Sequence, residues 1–390
     1  MSSIATRPFY PTPNILYVAY NKCFVRYYAY AMANESGTHE EPILLEDFNF
    51  ELPDAQIASE PARPRDASRL LVVNRSTGAW IDRTFQSLAE HLEPGDVLVV
   101  NDTRVVKARV QGLLERTGRD VEVFFADPIE GNRWGAMLRP GKRIRPGDRI
   151  VIDPAEDHPI YIEVGGPLDH GLRELSLSKD SALTVPELLD AYGHIPLPPY
   201  IEREDNPSDQ TDYQTVYARH DGAIAAPTAG LHFTDGIFAS LKDRGIETAQ
   251  VTLHVGIGTF IPVRTADARK HRLKPERFEI SEESAESLNR ARADGRRIIA
   301  VGTTTTRTLE YAIKKNGRFA AGTGETDLYI LPGYRFEAVD GLVTNFHLPG
   351  STLLLLVSAF AQSQFVLAAY RHAIKSGYRF YSYGDASLFI

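Results

Sequence analysis

Cysteine is nearly absent: Cys23 is the only one in 390 residues. A single thiol allows no internal disulfide and no cysteine-built metal site, in keeping with a reducing cytoplasmic setting. Long apolar runs are also missing. The longest, residues 353–357 continuing into Ala359 and Phe360, falls well short of the ~20 residues of a membrane-spanning helix. None of the eleven histidines stands four residues from another, so neither H-x-x-x-H nor H-E-x-x-H occurs and no metal is expected. There is no G-x-G-x-x-G and no Walker pattern, which removes the ordinary dinucleotide and P-loop readings. Positive charge is in deficit, with 43 Lys and Arg against 51 Asp and Glu. The resulting net charge of -8 excludes a protein coated all over for nucleic acid.

Local charge is a different matter. Arg139, Lys142, Arg143, Arg145 and Arg149 fall within eleven residues, and Arg104, Lys107 and Arg109 form a second group. Either could follow a phosphate backbone, or could simply be solvated turns and strand edges. At 43% hydrophobic and 24% charged residues, the composition is that of a globular protein, and the length suits two domains.

The first 31 residues hold six tyrosines and no periodic apolar face. They show neither the charged start nor the compact apolar run of a signal peptide. A polar stretch opened by Met32 follows. Residues 1–43 are therefore expected to be an extension, either disordered or preceding a true start at Met32.

Beyond it the pattern becomes regular. Thr84 is placed to cap a helix with Phe85, Leu88 and Leu92 on one face. An apolar strand over 97–100 ends at Asn101-Asp102. Six strand-like runs then follow at short spacing, over 105–110, 121–125, 134–138, 149–152, 160–164 and 172–177. Short strands separated by Pro-Gly turns predict a small β-barrel or sandwich. From Thr184, a plausible helix cap, strands alternate with helices: a helix over 235–244, a strand over 248–255, a helix from Ser281 to Gly295, and a strand over 298–301 running into Gly302. The expected architecture is a layered α/β domain (44–103 and 186–390) interrupted by an inserted small β-barrel domain (104–185).

Ligands of open α/β sheets bind beyond the carboxyl ends of strands, where three loops are expected. His254-Val255-Gly256-Ile257-Gly258 carries two glycines that let backbone approach a ligand. Gly302-Thr303-Thr304-Thr305-Thr306-Arg307 presents amides and hydroxyls at a helix start. Ala226-Pro227-Thr228-Ala229-Gly230-Leu231-His232 is a turn entering a helix. His232, His254, His271 and His347 lie in or near these segments, and Glu276, Asp327 and Asp385 are the nearby carboxylates able to act as a base. Residue chemistry alone ends at a ligand-binding α/β domain joined to a basic barrel.

Ordered blocks carry the reading further. They are Phe48-Asn49-Phe50-Glu51-Leu52-Pro53, Arg65-Asp66-Ala67-Ser68-Arg69, Asn101-Asp102-Thr103-Arg104, Ile195-Pro196-Leu197-Pro198-Pro199-Tyr200 and Tyr213-Gln214-Thr215-Val216-Tyr217. AAPTAGLHFT (225–234), TLHVGIGTF (252–260), Thr344-Asn345-Phe346-His347-Leu348-Pro349 and Tyr383-Gly384-Asp385-Ala386 follow. Together they resemble the S-adenosylmethionine:tRNA ribosyltransferase-isomerases of queuosine biosynthesis over residues 45–390. The resemblance implies an enzyme using S-adenosylmethionine as a ribosyl donor and co-substrate, with no prosthetic group. The acceptor is 7-aminomethyl-7-deazaguanine at the tRNA wobble position, and the products are epoxyqueuosine, adenine and methionine. It also implies action on the anticodon loop of tRNAs with GUN anticodons; the expected setting is a cytoplasmic monomer, away from membranes. Such a base can be splayed out and stacked on aromatics; Tyr200, Tyr217, Phe233 and Phe260 are the candidates. By motif position the catalytic pair is Glu276 with His271, and the substrate-binding residues are His232, His254, Arg307, Asn345 and His347.

One segment departs from the resemblance. Many members carry His-x-Met-His-Ser-Glu where this chain reads His271-Arg272-Leu273-Lys274-Pro275-Glu276. A lysine protonated at neutral pH is a poor substitute for a histidine base. Two alternatives follow: a divergent relative with altered substrate or lost activity, and a non-catalytic RNA-binding protein.

Overall fold

The structure is a computed structural model. It describes residues 41–390 except 131, 154–158, 179–180, 261–262 and 264, with only the backbone of 259 and 260. The expected N-terminal extension thus lies almost wholly outside the described residues, as does the side chain of Phe260.

A nine-stranded sheet organises the chain. Its strands are β1 (Arg69–Val73), β2 (Trp80–Thr84) and β3 (Val97–Asn101), then β12 (Glu247–Leu253), β13 (Glu276–Ile280), β14 (Ile298–Val301), β15 (Gly322–Thr326), β16 (Gly341–Asn345) and β17 (Ala386–Phe389). They lie in the order β15-β13-β12-β3-β14-β16-β17-β1-β2. The centre is parallel, β12 and β14 flanking β3 and β16 flanking β14. Every residue of β3 is buried, as a strand covered on both faces requires.

Between β3 and β12 come β4 (Thr103–Val105), the barrel strands β5 (Arg109–Leu114), β6 (Arg119–Pro128), β7 (Arg133–Arg139), β8 (Arg149–Ile152), β9 (Ile160–Pro167) and β10 (Arg173–Leu177), and finally β11 (His220–Ala223). The helices are α1 (Val185–Tyr192), α2 (Asp209–Asp212), α3 (Asp235–Asp243), α4 (Glu282–Ala293), α5 (Thr303–Asn316), α6 (Thr352–Ala361) and α7 (Ser363–Lys375).

Alternation sorts the side chains of the main sheet. Val97 and Val99 face a core shared with α4, α5, α6 and α7, while Leu98 and Val100 face α3 and the 3-10 turn Phe85–His91. The pattern predicts a short helix capped by Thr84 at that turn. The structure has a 3-10 helix there, without a side-chain cap, because the three-residue spacing of Phe85 and Leu88 suits an i, i+3 register. The apolar stretch beginning at Leu353 is a buried core helix, and among the described residues no single helix is long and apolar enough to cross a membrane.

The closed barrel runs β10-β7-β6-β5-β8-β9. Its interior is filled by Val110, Val123, Phe125, Ile150, Ile162 and Leu175, among others, with Val185, Leu188 and Leu189 of α1 completing the same core. A Thr184–Glu187 capping box starts α1 and Gly193 ends it. Burying three such side chains contributes roughly 1.5–3 kcal/mol each as an upper bound, so α1 packs as a plug of the barrel. The run over 105–110 is not one strand. Thr103–Val105 first pairs in parallel with β11, and the chain enters the barrel only at Arg109.

Candidate active site

Because β3, β12, β14 and β16 run in one direction, their carboxyl ends bring four loops to a single edge of the sheet. These begin at Asn101, His254, Gly302 and Asn345. Asn101 ties three of them together. Its Oδ1 accepts from the amides of Thr103 (3.2 Å) and Leu253 (2.9 Å), and its Nδ2 donates to the Leu253 carbonyl (2.9 Å) and Thr304 Oγ1 (3.4 Å). With every donor and acceptor used, Asn101 serves as a fixed joint.

Glu276, the first residue of β13, meets Arg307 of α5 in a buried ion pair. The two are 6% and 8% exposed. Arg307 Nη1 donates to Glu276 Oε2 at 2.5 Å, and the Gly256 amide donates to Oε1 at 2.9 Å. Arg307 also reaches the carbonyls of Leu328 (2.9 Å) and Thr326 (3.4 Å). A buried pair persists only when its remaining hydrogen-bonding capacity is met, and this one is. It locks the glycine loop to both β13 and α5.

Around His254 a second group forms. Its Nδ1 is 2.8 Å from Thr103 Oγ1. Buried Asp102 accepts from Thr252 Oγ1 at 2.6 Å and lies 3.6 Å from His220 Nε2. Burial and the nearby Arg277 and His220 push the His254 pKa down against Asp102 and Glu279, so the ring is neutral at neutral pH. His254 lines an open cleft of about 680 Å³ together with Pro275, Arg277, Glu279, Lys315 and Asp327.

A third group sits at the end of β16. His232 stacks on Phe85 with centroids 5.1 Å apart. Asn345 Nδ2 donates to the Tyr381 carbonyl (3.0 Å) and lies 3.2 Å from His232 Nε2. Nε2 therefore accepts, and Nδ1–H donates to Ser68 Oγ at 2.8 Å. Burial, then Arg379 and Arg65, push the His232 pKa down to about 3. Tyr381 has φ 71°, a left-handed conformation costing of order 1–3 kcal/mol for such a residue. His347 points elsewhere: its Nε2 is 2.8 Å from Thr344 Oγ1, and burial lowers its pKa to about 3.

Comparison with known proteins decides the lineage. The sequence profile described as Queuosine biosynthesis protein matches residues 45–389. The chain belongs to that family. S-adenosylmethionine:tRNA ribosyltransferase-isomerase of Syntrophotalea carbinolica is 48% identical over 348 residues, covering 89% of this chain and 99% of the relative. The protein of the same name from Moorella thermoacetica is 47% identical over 346 residues, with the same coverages. A solved structure, that of S-adenosylmethionine tRNA ribosyltransferase from Thermotoga maritima, is 36% identical with a TM-score of 0.51. The match covers 88% of this chain and 100% of that one.

Within this queuosine biosynthesis protein the expected residues fall into separate groups. Glu276 and Arg307 are joined, and so are His232 and Asn345. His271 makes no hydrogen bond to Glu276; its ring stands edge-on to Tyr329 at 5.6 Å. Phe233 is fully buried, and Tyr217 packs against it and Phe238, so these two are core rather than stacking surfaces. Tyr200 leans on Tyr381 at 4.5 Å. Asp385 accepts the amides of Arg69 and Arg379 and is structural. Among the described residues no cluster of three His, Cys, Asp or Glu side chains could hold a metal ion. Sequence reasoning gave no role to Asn101, Asp102, Thr103 or Ser68; the signal for the first three was a polar triplet closing an apolar strand, and Ser68 only precedes one.

The departing segment has a clear structural use. Lys274 forms an ion pair with Asp127 of β6, tying the loop before Glu276 to the barrel. Both side chains are partly exposed, and such a pair contributes about 1 kcal/mol or less. Lys274→Glu is expected to raise the KM for tRNA several-fold with little change in melting temperature. The swap Lys274→Glu with Asp127→Lys should restore it. Steady-state kinetics on both variants checks this; equal KM in the single variant and wild type would refute it.

Proposed function

We infer that this chain is an S-adenosylmethionine-dependent tRNA ribosyltransferase-isomerase of queuosine biosynthesis, with tRNA and S-adenosylmethionine as its two substrates. The supporting observation is the family match over residues 45–389, together with an interlocked set of polar residues at the strand-end edge. The ribosyl unit of S-adenosylmethionine passes to the amine of 7-aminomethyl-7-deazaguanine at the wobble position. Isomerisation then gives epoxyqueuosine, with adenine and methionine released. The chemistry follows from charge: the sulfonium acidifies the adjacent C5' hydrogens, and the attacking amine must be neutral.

In this reading the amides and hydroxyls at the start of α5 take ribose or carboxylate oxygens. His232, Asn345 and His254 border the donor, and His347 supports the floor from behind. Glu276 acts as a positioning residue, through Arg307 and the Gly256 amide, with His271 on the adjoining wall. Arg139, Lys142, Arg143 and Arg145 are exposed on the barrel; Asp148 accepts from the Arg145 amide and feels its charge but is held by Arg116. The four are suited to phosphate contacts. The second basic group is less free, since Arg104 pairs with Asp221 and Arg109 with Glu122.

The substrates are tRNAs with GUN anticodons, and the enzyme is a cytoplasmic monomer. The barrel insertion, expected over 104–185, runs in this reading from Arg109 to the end of its plug α1 at Tyr192; the main domain takes the rest from residue 44, and residues 1–43 form an extension. The test is incubation with S-adenosylmethionine and tRNA carrying 7-aminomethyl-7-deazaguanine, followed by mass spectrometry of the nucleosides. Epoxyqueuosine and stoichiometric adenine are the expected products. An unmodified base, under conditions where a relative is active, would overturn the assignment and favour a divergent substrate.

A further inference from the structure

We propose that His254 is the base that removes the C5' proton of S-adenosylmethionine, held in the required tautomer by Thr103. The inference rests on the reaction assigned above. The contacts of Thr103 favour one tautomer. Thr103 Oγ1 lies 3.4 Å from the His220 carbonyl and 2.8 Å from His254 Nδ1. A carbonyl can only accept, and the arrangement that uses both contacts has the threonine hydroxyl donate to it and turn a lone pair toward His254. Nδ1–H therefore donates to Thr103, and Nε2 is left unprotonated.

Nε2 has no hydrogen-bond partner among the described residues, and the half-buried His254 ring lines the large cleft. The ring cannot swing away freely, because it packs flush on Gly222. A Cβ at that glycine, whose φ is +143°, would stand 2.8 Å from Nδ1. Thr103 is itself fixed: it is fully buried, and its amide donates to Asn101.

The step balances within the site. The C5'–H bond breaks and its electron pair stays on carbon beside the sulfonium. The proton forms an N–H bond at Nε2, giving an imidazolium that keeps its Nδ1–H on Thr103. Arg277, His220 and Lys315 face the ring or the cleft and disfavour that cation. Asp102, Glu279, Glu325 and Asp327 favour it. The opposing signs leave a neutral ring before the transfer and a tolerated charge after it, as a base working near neutral pH needs.

S-adenosylmethionine deuterated at C5' tests the step. Wild type should wash label into solvent and form product; without product the reaction assignment itself fails. His254→Gln should bind S-adenosylmethionine in equilibrium dialysis yet lose turnover by about 10²–10⁴-fold, together with label release. In His254→Ala, added imidazole should restore part of both. Thr103→Val should lower kcat about tenfold or more with KM unchanged, and shift the acid limb of the kcat profile, while Thr103→Ser should recover. An active wild type beside a His254→Gln variant that keeps label release would overturn the proposal. So would equal losses in Thr103→Val and Thr103→Ser.

Discussion

Glu276→Gln should lose about 3–5 kcal/mol of stability and most of its turnover in the same variant. The carboxylate accepts from Arg307 on one oxygen and from the Gly256 amide on the other. A glutamine offers one acceptor and one donor, so one of those donors must face an N–H. The guanidinium would stay buried without its counter-charge, the costly half of breaking a buried pair. The glycine loop loses its anchor too, and His254 stands two residues before Gly256. Chemical denaturation and single-turnover kinetics measure the two losses. The double variant Glu276→Met with Arg307→Met separates them: it should regain much of the stability, since a well-packed apolar pair often replaces a buried ion pair, while turnover stays low. If Glu276→Gln kept full stability and lost only turnover, the carboxylate would be contacting substrate rather than holding the loop.

The layers of this fold were legible because local chemistry and burial agree. Ile298–Val301 is apolar throughout and is a strand buried on both faces. The helix expected from Ser281 begins there, with the Ser281 side chain accepting from the Ser284 amide. Where the two disagreed, reading by pattern slipped: residues 105–110 look continuous, yet the backbone breaks there to leave one sheet for another. The site was legible as residue types but not as partnerships. Glu276 and Arg307 both stood out, but only the packing of α5 over β13 reveals them as a pair. His232 and Asn345 are 113 residues apart. Thr103 resembles any polar residue ending a strand, and its meaning depends on a carbonyl 117 residues away. Lys274 looked like a damaged catalytic position. Its partner Asp127 lies in the barrel, which no local pattern could supply.

Acid should unfold this protein earlier than its carboxylates would require. His232 and His347 both have pKa values pushed down to about 3 from an ordinary 6.5. Above pH 6.5 each is neutral in folded and unfolded chains alike, and stability is at its full value. Below it, the unfolded chain takes up protons that the folded sites refuse. Each histidine then costs about 1.4 kcal/mol per pH unit until the pH nears its folded value. Near pH 5 the two together remove about 4 kcal/mol, a large part of the 5–15 kcal/mol typical of a folded domain. Paired carboxylates act lower. Asp82 is held below its ordinary 3.8, chiefly by Tyr378 and His372 against the opposing pull of burial, so its contribution fades only as the pH falls through that range. Denaturation midpoints between pH 8 and 4 should therefore fall steeply below 6.5. His232→Gln and His347→Gln should each be weaker at pH 8 but flatten that slope by about 1.4 kcal/mol per unit. An unchanged slope in both variants would mean that the folded sites accept protons after all. In that case the charged ring would turn Nε2–H toward the Asn345 amide below pH 6.5, and that contact would have to open.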